Sequence, residues 1–101
     1  MDITFNGKLI SSLTTPNHET AWSIKDAECV LKYIAAHRRI ILGGDILKSD
    51  LTYCYDNWYY NIDNSKGRDE NSEASTAIAQ EYILNYISKN GTDHYVVIVA
   101  D

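Results

Sequence analysis

The stretch IILGGDILKSDLTYCYDNWYYNID, residues 40–63, decides the fold. Its first residues, Ile40 to Leu42, show no polar alternation, which predicts a strand that is covered on both faces. Gly43-Gly44 follows within the same strand, where glycines indicate a bulge or the close approach of another backbone. Lys48 to Leu51 is predicted to form a turn. The segment from Leu51 to about Tyr60 is therefore predicted to return as a second strand.

The returning strand concentrates aromatic residues between carboxylates. Five of the eleven aromatic residues of the chain fall within residues 53–60. Rigid rings give a large contact area at low entropic cost, and carboxylates attract a basic partner. We therefore predict a protein-binding surface, and its candidate residues are Asp45, Asp56, Trp58, Tyr59, Tyr60 and Asp63.

These side chains cannot all share one face, because side chains alternate across a strand. Trp58 is expected to be buried and Tyr59 to be exposed. Tyr53 and Tyr55 would lie on one strand face, where they are expected to pack against a helix. Asp56-Asn57 is predicted to interrupt the regular strand, since both residue types are poor strand formers.

Two strand signals and a loop signal precede this region. Residues 2–13 alternate weakly around Asn6-Gly7, a pair that tolerates positive φ and favours a hairpin. A single strand is the open alternative. Residues 14–20 are polar and contain Pro16, so they are predicted to form a loop.

Helical spacing predicts two helices. The first extends from Ser23 to about Ala36, with Ser23 as N-cap and Asp26 completing a capping box. The second is capped by Asn71 or Ser72 and ends at Asn90-Gly91. Its buried stripe is predicted to be Ala79, Tyr82, Ile83, Tyr86 and Ile87.

The last element, His94 to Ala100, is a continuous apolar run and is predicted to form a central strand. The element order is then β(β)-α-β-β-α-β. This order predicts an α+β fold, in which two helices pack on one face of a mostly antiparallel sheet. A chain of 101 residues has room for one domain, residues 1–101.

Composition narrows the classes of partner. The net charge is −5, which disfavours nucleic acid and favours a basic partner. The lone thiols Cys29 and Cys54 suit a reducing, cytoplasmic environment. No apolar run is long enough for a transmembrane helix, and the amino terminus lacks the features of a signal peptide, so no membrane association is expected.

The sequence shows no complete motif for catalysis, a cofactor or a metal. Gly43-Gly44-Asp45 lacks the remaining residues of a phosphate-binding loop. The segment from Asp63 resembles the start of a calcium loop, but Arg68 occupies the position that requires glycine. The three histidines, His18, His37 and His94, lie far apart in sequence. We expect no cofactor and no metal.

Two short motifs carry a family resemblance. Ile41-Leu42-Gly43-Gly44-Asp45-Ile46 and Tyr55-Asp56-Asn57-Trp58-Tyr59-Tyr60, followed by a helix and a final apolar strand, resemble the immunity protein 40 family. The resemblance covers roughly residues 20–100. It implies a small bacterial cytosolic antidote that binds a cognate toxin domain of a polymorphic or contact-dependent system. It implies no enzyme activity and no cofactor.

Three hypotheses about function remain in competition. The leading one is an immunity protein that occludes a toxin, for example a nuclease whose basic groove meets carboxylates in place of phosphates. A second is a small-ligand-binding or regulatory domain, in which Gly43-Gly44 admits a ligand that stacks on Trp58 and Tyr60. A third is an enzyme that uses Asp45, Asp56 and Asp63 for acid–base chemistry. The simpler view of these aspartates is that they bond turn and bulge amides.

Overall fold

A six-stranded antiparallel sheet forms one layer of the protein, and two helices form the other. The computed structural model describes residues 2–101, and Met1 lies outside the described residues. The strands are β1 Asp2–Phe5, β2 Lys8–Thr14, β3 Thr20–Ser23, β4 Ile41–Lys48, β5 Tyr53–Tyr59 and β6 His94–Ala100; the helices are α1 Ala27–Ala36 and α2 Arg68–Asn90. Within residues 2–101 the strand order is β1-β2-β3-β6-β4-β5. This confirms the α+β fold in a single domain.

The hairpin of β4 and β5 extends one half of the sheet. β4 pairs with β5 on one side and with β6 on the other, both antiparallel. β6 also pairs with β3, so its central position is confirmed. The hairpin turn is closed by two backbone bonds of 2.8 Å, from the Lys48 amide to the Thr52 carbonyl and from the Leu51 amide to the Lys48 carbonyl.

The paired glycines of β4 allow neighbouring atoms to approach the backbone closely. A Cβ atom on Gly43 would lie 2.3 Å from the carbonyl oxygen of Trp58, and φ of Gly43 is +154°. A Cβ on Gly44 would lie 2.3 Å from the Val97 carbonyl oxygen and 2.4 Å from Cη2 of the Trp58 ring. The pairing of β4 with β6 also shifts register between Ile41 and Gly43. Both the close approach and the irregularity expected at this pair are confirmed.

The main core lies between the sheet and the helices. Trp22, Ile41, Ile46, Trp58 and Val96 contribute from the sheet. From the helices, the buried residues of this core are Ala27, Val30, Leu31, Ile34, Ala79 and Ile83, with Tyr82, Tyr86 and Ile87 packed against it. All five residues of the stripe predicted for α2 belong to this core or pack against it, so the stripe faces the core as predicted. Full burial of one large aliphatic side chain stabilises a fold by roughly 1.5–3 kcal/mol.

The amino-terminal segment forms the hairpin rather than the single strand. Asn6 and Gly7 have φ values of +51° and +77°, as a two-residue turn with the twist of the flanking strands requires. β3, by contrast, was not predicted. Its four residues, Thr20–Ser23, lead directly into a 3₁₀ turn at Ile24–Asp26 and then into α1, so their pattern merges with that of the helix.

Both predicted helix caps are wrong. Ser23 makes no side-chain capping bond, and the Asp26 carboxylate lies 3.4 Å from Nζ of Lys8 instead. α2 begins at Arg68 after Gly67, earlier than Asn71 or Ser72, both of which are buried within the helix. Its carboxyl end is as predicted, since Gly91 has φ +78° and donates its amide to Ile87.

We predict that Gly44→Ala lowers the free energy of unfolding by about 3 kcal/mol, because the new methyl group would overlap both Val97 and Trp58. Urea denaturation monitored by tryptophan fluorescence measures this loss. Gly67→Ser is the matched control, because nothing lies within 4 Å of a Cβ there and serine is a good N-cap. A Gly44→Ala loss no larger than the effect of Gly67→Ser would contradict the packing described.

Candidate functional site

The sheet face opposite the helices, which we call the open face, carries two of the predicted site residues. Cross-strand pairing places Val99, Gly43 and Tyr59 side by side in one row. Val97, Asp45 and Asn57 form the adjacent row. Paired residues share a face, and Val97 belongs to a cluster that is separate from the main core. Asp45 and Tyr59 therefore project away from the helices.

Part of the open face is covered by Tyr53 and the loop between β2 and β3. The Tyr53 hydroxyl donates to the Glu19 carboxylate and accepts a bond of 3.3 Å from Nδ2 of Asn17. Buried on this side of the sheet is a small cluster of Ala21, Leu47 and Val97, with Leu51, Tyr53 and Tyr95 packed against it. The expected packing of Tyr53 against a helix is therefore wrong, because its strand face is the one opposite the helices.

Tyr55 does not share the environment of Tyr53. Its φ is +62° and its side chain is 89% exposed. Between the pairs Leu47–Tyr53 and Asp45–Asn57, β5 has three residues where β4 has one. The extra residues form a bulge that frees Tyr55 from any helix contact, so the expectation of helix packing is wrong here too.

The remainder of the open face forms a shallow hollow, which we call the Gly43 notch. Its volume is about 350 Å³, and its lining includes Gly43, Asp45, Asn57, Tyr59 and Val99. Tyr59 is 76% exposed and Val99 is 44% exposed. Because Gly43 has no side chain, these two apolar side chains stand as walls on either side of a bare stretch of backbone.

The electrostatics of the open face are acidic. Partial burial, followed by the nearby Glu19 carboxylate, raises the pKa of Asp45 above its usual value. The hydrogen bond to Glu19 raises the pKa of the Tyr53 hydroxyl. None of the four salt bridges found between residues 2–101 includes Asp45 or Glu19. The site therefore holds two carboxylates without an ion-pair partner among the described residues.

Trp58 is the buried member of the aromatic segment, as expected. It is 7% exposed, and its ring stacks on Tyr82 of α2 with centroids 5.1 Å apart. Its ring also lies against Gly44 on the helix side of the sheet. Trp58 also belongs to the lining of the notch, and its ring supports the backbone of Gly44 from the helix side.

Tyr60 and Asp63 are held by Asn71, which is 2% exposed. Oδ1 of Asn71 accepts bonds from the Tyr60 hydroxyl at 2.5 Å and the Asp63 amide at 2.9 Å. Its Nδ2 donates to the carbonyls of Asp63, Lys66 and Gly67 at 3.0, 3.3 and 3.0 Å. One buried amide thus organises the connection between β5 and α2.

The Asp63 side chain closes a local turn. Its Oδ1 accepts bonds from the Ser65 hydroxyl at 2.6 Å and the Ser65 amide at 2.9 Å. These bonds lower the pKa of Asp63. The structure supports the simpler view of this aspartate as a turn residue.

Asp56 lies near the helix side, beyond the bulge. Burial, then hydrogen bonding to Cys54 and Asp56, raises the pKa of the Tyr86 hydroxyl on α2. The ring of Tyr86 in turn meets His94 edge-on at 5.2 Å. Asp56 is therefore separated from Asp45 by the sheet.

The six predicted site residues thus occupy three places. Asp45 and Tyr59 are on the open face, Trp58, Tyr60 and Asp56 are on the helix side, and Asp63 is in the loop that follows. Glu19 and Val99 were not predicted as site residues. Alternation along β6 was the only sequence signal for Val99. No sequence signal indicated Glu19, because it lies near Asp45 only once the strands are ordered in the sheet.

The geometry does not favour catalysis by the three aspartates, nor a ligand that enters at the glycine pair and stacks on Trp58 and Tyr60. Asp45, Asp56 and Asp63 do not converge on one cleft, and no group of three potential ligands among residues 2–101 could hold a metal ion. On the helix side of the glycine pair, the Trp58 ring already occupies the space next to Gly44.

Neither helix in the described part of the chain has the length and apolar character needed to cross a membrane.

Comparison with known families gives a match over most of the chain. Residues 10–100 match the family described as Immunity protein 40. The chain belongs to the immunity protein 40 family. The match confirms the resemblance and starts earlier than residue 20, so it includes most of β2. No curated protein and no solved structure gives a significant match.

We predict that Asn71→Ala lowers the free energy of unfolding by about 2–3 kcal/mol, because it leaves buried polar groups of the loop without partners. Tyr60→Phe removes one of the same bonds and is expected to lose about 1 kcal/mol. Equilibrium urea denaturation measures both. The exposed Asn61→Ala is the control, with an expected change within about 0.5 kcal/mol. Equal effects of Asn71→Ala and Asn61→Ala would contradict the role of Asn71.

We predict that Asp45→Asn leaves the melting temperature unchanged or raises it at pH 7. The pKa of Asp45 is raised in the folded state, so its ionised form disfavours folding at neutral pH. This destabilisation decreases as the pH falls through the pKa of Asp45 in the folded state, and it is gone below the pKa of Asp45 in the unfolded state. Thermal melts at pH 7 and pH 3 should show any gain only at pH 7. A lower melting temperature at pH 7 than in the unsubstituted protein would contradict this account.

Proposed function

We propose that this protein is an immunity protein that binds and neutralises a cognate bacterial toxin domain through the open face around the Gly43 notch. The observation that carries the proposal is the exposure of Tyr59 and Val99 beside the unpaired Asp45 carboxylate. Membership of the immunity protein 40 family supports the functional class. The protein acts as an inhibitor rather than as an enzyme, and it requires no cofactor.

The composition of the open face suits a protein interface. Interface centres favour tyrosine and are poor in charged residues, while charges at the rim steer the encounter. Tyr59 and Val99 supply apolar contact, and Asp45 and Asn57 supply polar contact at their edge. The segment from Asp45 to Glu73 carries −4 of the net charge of −5. Most of its acids lie in the loop and in α2, so they attract a basic partner at long range and do not contact it on the open face.

The remaining predicted residues have distinct roles in this proposal. Trp58 and Tyr60 hold β5 in place, because one stacks on α2 and the other bonds to Asn71. Asp63 shapes the loop through Ser65. Asp56 contributes to steering from the helix side and makes no central contact.

The toxin is expected to be a polymorphic or contact-dependent toxin domain, and a nuclease fits best. Nuclease grooves are basic because they bind phosphates, and carboxylates on the open face would replace those phosphates. Binding there would occlude the groove in the cytoplasm of the producing or neighbouring cell.

The function is tested by coexpressing the tagged protein with the product of the adjacent upstream gene. A stoichiometric complex is expected, together with toxicity that appears only when this protein is omitted. The absence of both a complex and toxicity would contradict the immunity function for that gene pair.

We predict that Tyr59→Ala weakens the complex by at least about 2 kcal/mol, the loss typical of a central contact. Isothermal titration calorimetry with the purified toxin measures the change. Tyr55→Ala is the matched control, because it truncates an exposed tyrosine of the same strand outside the notch. Equal losses in the two variants would reject the Gly43 notch as the centre of the interface while leaving the function intact.

A further inference from the structure

We propose that the Gly43 notch receives one arginine side chain of the partner, whose guanidinium stacks on Tyr59 and pairs with Asp45. This inference rests on the proposed function and specifies the chemistry of its central contact.

The shape of the notch suits a single side chain. The notch has a volume of about 350 Å³, at the lower end of the range for ligand pockets, roughly 300–1,000 Å³. It is shallow, has backbone as its floor, and is flanked by Tyr59 and Val99. Such a hollow admits a single extended side chain between two apolar walls.

The charge at the notch suits a cation. The Asp45 carboxylate lines the notch, and the Glu19 carboxylate is close enough to raise the pKa of Asp45. No salt bridge within residues 2–101 neutralises either group. An incoming cation would relieve the repulsion between the two carboxylates, so the free protein is already arranged for a positive group.

The exposed ring of Tyr59 beside Asp45 favours arginine over lysine. A guanidinium is planar, more weakly hydrated than an ammonium, and stacks on aromatic faces while it bonds a carboxylate side-on. Tyr59 offers an exposed ring in the row next to Asp45, which suits a flat cation better than a compact one.

The backbone of Gly43 forms the floor of the notch. A Cβ atom at this position would lie 2.3 Å from the Trp58 carbonyl oxygen, and φ is +154°, so a residue with a side chain is excluded. The same backbone constraint that packs β5 onto β4 therefore keeps the notch empty.

The direct test is an NMR titration of the ¹⁵N-labelled protein with N-acetyl-arginine amide. The expected result is millimolar binding, with amide shifts centred on Gly43, Asp45, Asn57 and Tyr59. The citrulline analogue has the same shape without the charge and should produce no such shifts, and the lysine analogue should bind more weakly. Absence of shifts at these residues with arginine, or equal shifts with citrulline or lysine, would overturn the proposal.

The second test uses the toxin complex. Asp45→Asn should weaken toxin binding about 30-fold, as loss of a central contact does. Glu81→Gln removes the same charge from the exposed side of α2 and should change affinity by no more than about twofold, since distant surface charges act mainly through screened steering. Equal affinities for Asp45→Asn and Glu81→Gln would overturn the proposal, although a complex that still forms would uphold the proposed function.

A variant that fills the notch completes the design. Gly43→Ala is unsuitable because it strains the backbone, whereas Val99→Phe enlarges a wall that is already partly exposed. Val99→Phe should retain a cooperative thermal melt, lose the arginine-dependent shifts and bind the toxin about 30-fold more weakly. A folded Val99→Phe protein with unchanged arginine binding would contradict the placement of the guanidinium. If no toxin complex is obtained, the arginine titration still decides the chemistry of the notch.

Discussion

The absence of side chains at Gly43 and Gly44 is the constraint on which the rest of the structure depends. On the helix side, Gly44 allows the Trp58 ring to lie directly on β4 and to stack beneath Tyr82. On the opposite side, Gly43 leaves a gap between Tyr59 and Val99. One dipeptide therefore joins the edge strand to the core and opens the hollow that we assign to the toxin. This coupling explains how a stable fold and an open hollow arise from the same residues.

The open face combines stabilising and destabilising features. Tyr53 and the loop that carries Glu19 cover one part of it, under which Ala21, Leu47 and Val97 are buried. The neighbouring part keeps Asp45 partly buried near a second carboxylate, which disfavours its ionised form. Retaining such a residue without an ion-pair partner is typical of binding sites, where the fold gives up some stability for recognition. The geometry thus separates a structural half of the face from the half that we propose to bind the toxin.

Much of the fold could be predicted because the signals were local. The β4–β5 hairpin, the glycine pair, the buried Trp58, the exposed Tyr59 and the strand β6 all follow from alternation and turn chemistry. β3 could not be predicted, since four residues that continue into a helical pattern carry too little strand signal. Asn71 has the residue type of a helix cap, but its amide bonds the preceding loop from within the helix. Both uses draw on the same side-chain chemistry, so sequence alone cannot separate them.

The candidate site was predicted only in part, because its composition depends on register and strand order. The bulge in β5 separates the environments of Tyr53, Tyr55 and Asp56, as a change of register does whenever side chains alternate. Glu19 lies near Asp45 because the loop before β3 covers part of the open face.

The most direct test of the account is cross-saturation NMR on the labelled protein bound to its toxin. The account predicts signal loss at Gly43, Asp45, Asn57, Tyr59 and Val99, whereas loss confined to α1 and α2 would contradict it.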